Sequence, residues 1–201
     1  MTKTTVIFDL GKVLVEYDWQ SYLKSFSFDK KVSNAIANAM FLNKDWEEGD
    51  KGADAEQWLS LFIENAPEYE KEIRIVYEHL EGCAYRFPYT LELIEFFEKR
   101  GFRIYFLSNY SEYLYEKTKE TLSFLDRFDG GIFSFQEKCI KPDKIIYKRL
   151  LEKYHISPNE AIFFDDREEN IIAAEELGIL GVVFTPEIAD KILKEQIVEM
   201  K

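Results

Sequence analysis

Short apolar runs alternating with helix-patterned stretches constrain this chain more than any other feature. Val6 to Phe8, Ile104 to Leu107, Gly131 to Phe133, Ala161 to Phe164 and Gly181 to Phe184 read as strands. They are continuously apolar rather than alternating, the pattern of strands covered on both faces, as in parallel sheets. Between them, Thr90 to Lys99 carries apolar residues at helical spacing and stops at Gly101, and Glu168 to Leu177 does the same and stops at Gly178. Lys144 to Lys153 and Pro186 to Met200 predict two more helices. The alternation predicts an α/β fold, a doubly wound (Rossmann-like) parallel sheet whose ligands sit outside the carboxyl ends of the strands.

One stretch departs from this pattern. From about Trp19 to Glu81 the sequence reads as several helices, with breaks near Phe28 to Lys31, Gly49 to Asp54 and Pro67, and no strand. The expected organisation is an α-helical cap over residues 17–86, inserted into a core made of residues 1–16 and 87–201. A chain of 201 residues with 46% hydrophobic content suits one well-cored domain carrying such an insertion.

Charge and segment lengths narrow the partners. A formal net charge of -12 argues against nucleic acid, whose binding rests on Lys and Arg neutralising phosphates. A small anionic ligand stays compatible, since a local Lys, a metal ion and backbone N–H groups can outweigh a negative field within one cleft. There is no membrane-length apolar run and no signal-peptide pattern, so no membrane partner and a cytoplasmic location are expected. Cys83 and Cys139 lie far apart in sequence and are expected to be reduced thiols. Nothing in the sequence sets the oligomeric state.

The chemistry-bearing residues follow the strands. FDLGKVLVE places Asp9 at the end of the first strand with Gly11 two residues on. FLSN leaves Ser108 and Asn109 after the second, CIKPDKIIY carries Lys141, and FFDD leaves Asp165 and Asp166 after the fourth. Each has an ordinary structural alternative: a turn Asp, a helix cap at Ser108, Asn109 or Asp166, a solvated loop charge at Lys141. Together they put a nucleophile, hydroxyl and amide donors, a cation and a carboxylate pair on one sheet edge, the parts that phosphoryl transfer needs.

In FDLGKVL, FLSN, IKPD and FFDDREEN, taken in that order, the sequence resembles the haloacid dehalogenase-like (HAD) hydrolase superfamily, in its helical-cap branch of small phosphatases. PYTLELIEFFEKRGFRIYFLSN is also similar to that family's helix and strand leading into the second motif. The resemblance implies a phosphoric monoester hydrolase in which Asp9 forms an aspartyl-phosphate that water cleaves. It implies Mg2+ held by Asp9, Asp166 and the backbone carbonyl of Gly11, with Asp165 on a metal-bound water. It assigns the phosphoryl oxygens to Ser108, the N–H of Asn109 and Lys141, groups Ser108 and Lys141 with Asp9 as catalytic, and gives Asn170 a part in orienting the acidic loop. A small phosphorylated metabolite is the implied substrate, with sugar phosphates such as a sugar 1-phosphate among the candidates. Most phosphatases of the superfamily carry an Asp where Gly11 stands, acting as general acid and base, so here the leaving oxygen has no assigned proton donor.

Two other functions stay open. Dehalogenation could use the same nucleophile, but Asp165 and Asp166 facing Asp9 would be poorly tolerated without a cation. A non-catalytic phosphate-binding or regulatory protein is the other, resting on Gly11. His79, His155 and Cys139 are expected to be structural or solvated, and Trp19, Trp46 and Trp58 to pack the cap. Glu16, Tyr17, Trp19, Trp46 and Glu47 are the candidate substrate contacts.

Overall fold

A computed structural model describes residues 3–195. In chain order the elements are β1 (Thr5–Phe8), β2 (Val15–Tyr17), α1 (Trp19–Ser25), α2 (Lys30–Ala39), α3 (Trp46–Asp50), α4 (Ala55–Asn65), α5 (Glu70–Glu78) and β3 (Ala84–Arg86). There follow α6 (Thr90–Lys99), β4 (Arg103–Ser108), α7 (Glu112–Thr118), β5 (Gly130–Phe133), α8 (Ser134–Glu137), α9 (Lys144–Lys153), β6 (Ala161–Asp165), α10 (Glu168–Glu175), β7 (Leu180–Val183) and α11 (Pro186–Leu193). Of the last helix expected from the sequence, residues 196–200 lie outside the described residues.

Five strands form one parallel sheet in the order β5-β4-β1-β6-β7. Successive residues serve opposite faces: Val6, Phe8, Ile104, Phe106, Ile162 and Phe164 enter one core cluster, while Ile7, Tyr105, Leu107, Ala161 and Phe163 enter the other. Both faces are covered, which is why these strands read as unbroken apolar runs. After β1 the chain runs outward through β4 and β5 on one side, then crosses back to β6 and β7 on the other, so the crevice at the carboxyl end of β1 is the switch point where such sheets bind ligands.

A second, two-stranded antiparallel sheet pairs β2 with β3, Val15 opposite Arg86 and Tyr17 opposite Ala84. The sequence reading did not include these strands, because three residues are too few to show a period. Helices α1 to α5 lie between them in sequence, and the paired strands bring the entry and exit of this helical layer side by side. The layer packs on aromatic rings. Trp58 is fully buried, donates Nε1–H to the Asp45 carbonyl at 3.0 Å, and meets Trp46, Phe62 and Tyr77 at centroid distances of 4.8, 5.1 and 5.7 Å. A Cβ at Gly49 would stand 2.4 Å from the Trp58 ring, so only glycine lets α3 settle against it. Trp58→Ala is expected to cost about 3–5 kcal/mol, read by urea unfolding. A loss below about 1 kcal/mol would remove Trp58 from the centre of this packing.

Candidate active site

The turn after β1 brings Asp9 onto the sheet edge. Asp9 N–H donates to the Phe164 carbonyl at 2.8 Å, which extends the β1–β6 ladder by one residue and seats Asp9 beside Asp165. The chain then doubles back, with Leu14 and Val15 N–H both donating to the Leu10 carbonyl. Gly11 lies in this turn, outside the positive-φ region, and a Cβ there would meet nothing within 4 Å.

Asp9, Asp165 and Asp166 each offer a carboxylate oxygen within 4.8 Å of the others. Lys141, only 2% exposed, reaches Asp9 Oδ2 at 2.9 Å and Asp165 Oδ2 at 2.6 Å. Asp165 Oδ1 accepts from the Arg167 N–H and from Asn170 Nδ2, each at 2.9 Å. Both oxygens of Asp165 are thus engaged by the protein. Asn109 holds the Lys141 backbone from both sides, its Nδ2 donating to the Lys141 carbonyl at 3.0 Å and its Oδ1 accepting the Lys141 N–H at 2.8 Å.

Burial opposes ionisation of Asp9, and the Asp165 charge adds to it; Lys141 pulls the other way, and the carboxyl ends at about 7. Burial, then the Asp165 charge, also raises Asp166. Burial disfavours the Lys141 ammonium, but Asp165 and Asp9 outweigh it and hold its pKa above the ordinary value. A divalent cation would relieve these raised carboxyls. The donor set is hard oxygen, as magnesium prefers, and Asn170 Oδ1 is buried beside it without a hydrogen-bond partner. The residues therefore fit the metal.

A cavity of about 670 Å³ stands above the cluster, lined by Asp9, Gly11, Asn109, Lys141 and Asp166 from the sheet edge and by Phe41, Leu42, Trp46, Glu47 and Asp50 from the helical layer. Tyr17 and Trp46 of the expected substrate contacts line it, as does Glu47; Trp19 faces a side groove with Phe41, and Glu16 pairs with Lys12. Ser108 closes β4 at 1% exposure and is not part of the lining. The structural alternatives weighed for two residues do not hold: Lys141 is buried rather than solvated, and α10 has no side-chain cap from Asp166. His79 and His155 are exposed and away from the cavity, and Cys139 is half-buried outside it. The sequence reading missed one contact of a residue it named and passed over another residue altogether. Asn109 was read for its N–H alone, and the clamp its amide makes on Lys141 spans 32 positions that no local pattern links. Asp50 was not singled out at all, because nothing near it in sequence indicates that the end of α3 overlooks β1.

A carboxylate beside a buried ammonium and an acidic pair, at the switch point of a parallel sheet, is an arrangement capable of carboxylate attack on an anionic electrophile once a cation is bound. The chain belongs to the haloacid dehalogenase-like hydrolases, whose family model matches residues 3–178. It is 28% identical over 192 residues to a protein of Aspergillus oryzae named sesquiterpene phosphatase astK, covering 94% of this chain and 93% of that one. In fold it is similar to a HAD family enzyme of Bacteroides thetaiotaomicron solved with magnesium and inorganic phosphate (TM-score 0.72, 24% identity, 92% of this chain and 94% of that one). It is also similar to the L-2-haloacid dehalogenase of Xanthobacter autotrophicus (TM-score 0.65, 14% identity, 96% and 83% covered). Among the described residues no helix is long and apolar enough to cross a membrane.

Proposed function

We propose that this hydrolase is a magnesium-dependent phosphatase that cleaves a small phosphorylated metabolite through an aspartyl-phosphate on Asp9. The observation that carries this reading is the convergence of Asp9, Asp165 and Asp166 with Lys141 bridging two of them. A dehalogenase has no use for three facing carboxylates, whereas phosphoryl transfer needs a cation that they would hold. The named phosphatase among its relatives supports the same reading.

Asp9, Asp166 and the Gly11 carbonyl would hold the metal directly. Asp165, with both oxygens already engaged, suits a water of the metal's shell. The bound metal would withdraw charge from the phosphoryl oxygens. Lys141 favours the ionised form of Asp9 and neutralises the phosphoryl group, the Asn109 N–H at the cavity wall would hold its oxygens, and Ser108, buried at the end of β4, would join it by turning its hydroxyl into the cavity. Residues 17–86 act as the cap, and its aromatic and aliphatic walls at Tyr17, Phe41, Leu42 and Trp46 accommodate the organic part of the substrate. Such walls suit a sugar ring stacked on an aromatic face, as in a sugar 1-phosphate, and equally a prenyl chain.

Phosphate release is expected across a panel holding both a sugar 1-phosphate and a prenyl phosphate, to be abolished by chelator and restored by magnesium. Full activity in excess chelator would overturn the metal's role. Absence of release from every member of the panel would leave a phosphate-binding protein instead.

A further inference from the structure

Phosphoryl transfer from this site leaves one proton without a donor. When the P–O bond to an alkoxide breaks, the departing oxygen carries the electron pair and needs a proton, and position 11 offers no side chain to give it. Of the other groups lining the cavity, Asp166 is given to the metal, Lys141 is committed to two carboxylates, Lys12 is exposed and paired with Glu16, Glu47 is exposed and paired with Lys51, Arg167 is exposed and paired with Glu169, and Lys44 is exposed. Asp50 differs from all of them. It is a carboxyl of the helical layer, 8% exposed, whose residue lines the same cavity as Asp9.

Its position is fixed from the sheet side. The Ser134 hydroxyl, buried just past the end of β5, donates to the Asp50 carbonyl at 2.7 Å and accepts the Tyr110 N–H at 2.9 Å. Two residues on, Lys138 Nζ donates to the Gly52 carbonyl at 2.9 Å. The end of α3 is therefore pinned to the carboxyl edge of the sheet that carries Asp9.

We propose that Asp50 protonates the leaving group and then takes the proton of the attacking water, the work that position 11 cannot do. This rests on the phosphatase reading above. In the first half-reaction Asp9 attacks phosphorus, the P–O bond to the leaving group breaks, and the carboxyl proton of Asp50 passes to the departing oxygen. The products are an alcohol, the aspartyl-phosphate and the Asp50 carboxylate. In the second, water attacks the phosphorus, its proton returns to Asp50, and the bond to Asp9 breaks to give phosphate and the Asp9 carboxylate. The sum is phosphomonoester plus water giving alcohol plus phosphate.

The surroundings favour the acid form of Asp50. Burial is the main cause and the Glu47 and Asp9 charges add to it, with Lys141 and Lys51 opposing; the carboxyl is raised to about 8. The nearby Tyr17 and Tyr110 phenols stay protonated, because burial pushes both well up.

The test compares a primary alkyl phosphate with p-nitrophenyl phosphate, whose leaving group needs no proton, on the full-length magnesium-loaded protein. Asp50→Asn is expected to lower kcat/KM for the alkyl ester by about a hundredfold to ten-thousandfold and for the aryl ester by less than about tenfold. Gly11→Asp added to Asp50→Asn should recover at least about tenfold on the alkyl ester, since a Cβ at position 11 meets no neighbour within 4 Å. Ser134→Ala, which removes the anchor and the acceptor of the Tyr110 N–H but no carboxyl, should give the same leaving-group-dependent loss in smaller degree, and decides the matter if Asp50→Asn does not fold. Equal losses on both esters, or none on either, would overturn the role of Asp50 while leaving the phosphatase intact. A wild-type protein that hydrolyses neither ester would overturn the phosphatase reading and this proposal with it.

Discussion

Asp9→Asn is expected to lower turnover on any phosphomonoester by roughly four orders of magnitude or more, because it removes the covalent path while keeping the side chain's shape. Asn keeps the Oδ1 that accepts the Leu10 N–H at 2.6 Å, so the turn after β1 should survive. What changes is charge and nucleophilicity. Asn cannot attack phosphorus as an anion, and it deprives Lys141 of one of its two carboxylate partners. Acid-quenched wild-type protein mixed with labelled substrate should carry covalent phosphate, and the variant should carry none. Turnover within tenfold of wild type, with label still trapped, would move the nucleophile to another residue.

Lys141→Ala is expected to cost at least about a hundredfold in kcat/KM, since a charge-assisted contact to a phosphoryl group in a closed site contributes several kcal/mol. A second effect should separate this from a general loss of folding. Without the ammonium, three carboxylates converge with no cation between them, and removing one partner of a buried ion pair typically costs about 3–5 kcal/mol. Magnesium binding to the folded state should recover part of that stability by mass action, so thermal unfolding should shift further with added magnesium in the variant than in wild type. Lys141→Arg should not restore activity, because a planar guanidinium is larger than the buried ammonium that spans Asp9 and Asp165. Loss of stability with full activity in the surviving folded fraction would reduce Lys141 to a structural ion pair.

Much of the architecture was legible in the sequence because its signals are local. β1, β4 and β6 are apolar on both faces and stand out as runs, and Gly101 follows the helix α6 where a left-handed turn ends it, at φ +74°. In a parallel sheet every strand presents its carboxyl end to the same edge, so Asp9, Ser108 and Asp165 could be placed on one edge from their positions after apolar runs. That geometric rule, joined to the four ordered motifs, was enough to assemble the acidic cluster and the lysine.

Tertiary structure alone decided the rest. The pairing of β2 with β3 joins residues 67 or more positions apart through three-residue strands, and such a pairing leaves no periodic trace in either segment. The double bond of Asn109 to the Lys141 backbone, and the approach of Asp50 to the cavity by way of Ser134, are likewise contacts between distant segments. A carboxylate on a short polar helix reads in sequence as solvated surface, since an Asp is rarely buried. Only the docking of the helical layer on the sheet edge takes water away from Asp50, and it is that loss of water, with Glu47 and Asp9 nearby, that turns an ordinary Asp into a carboxyl able to hold a proton near neutral pH.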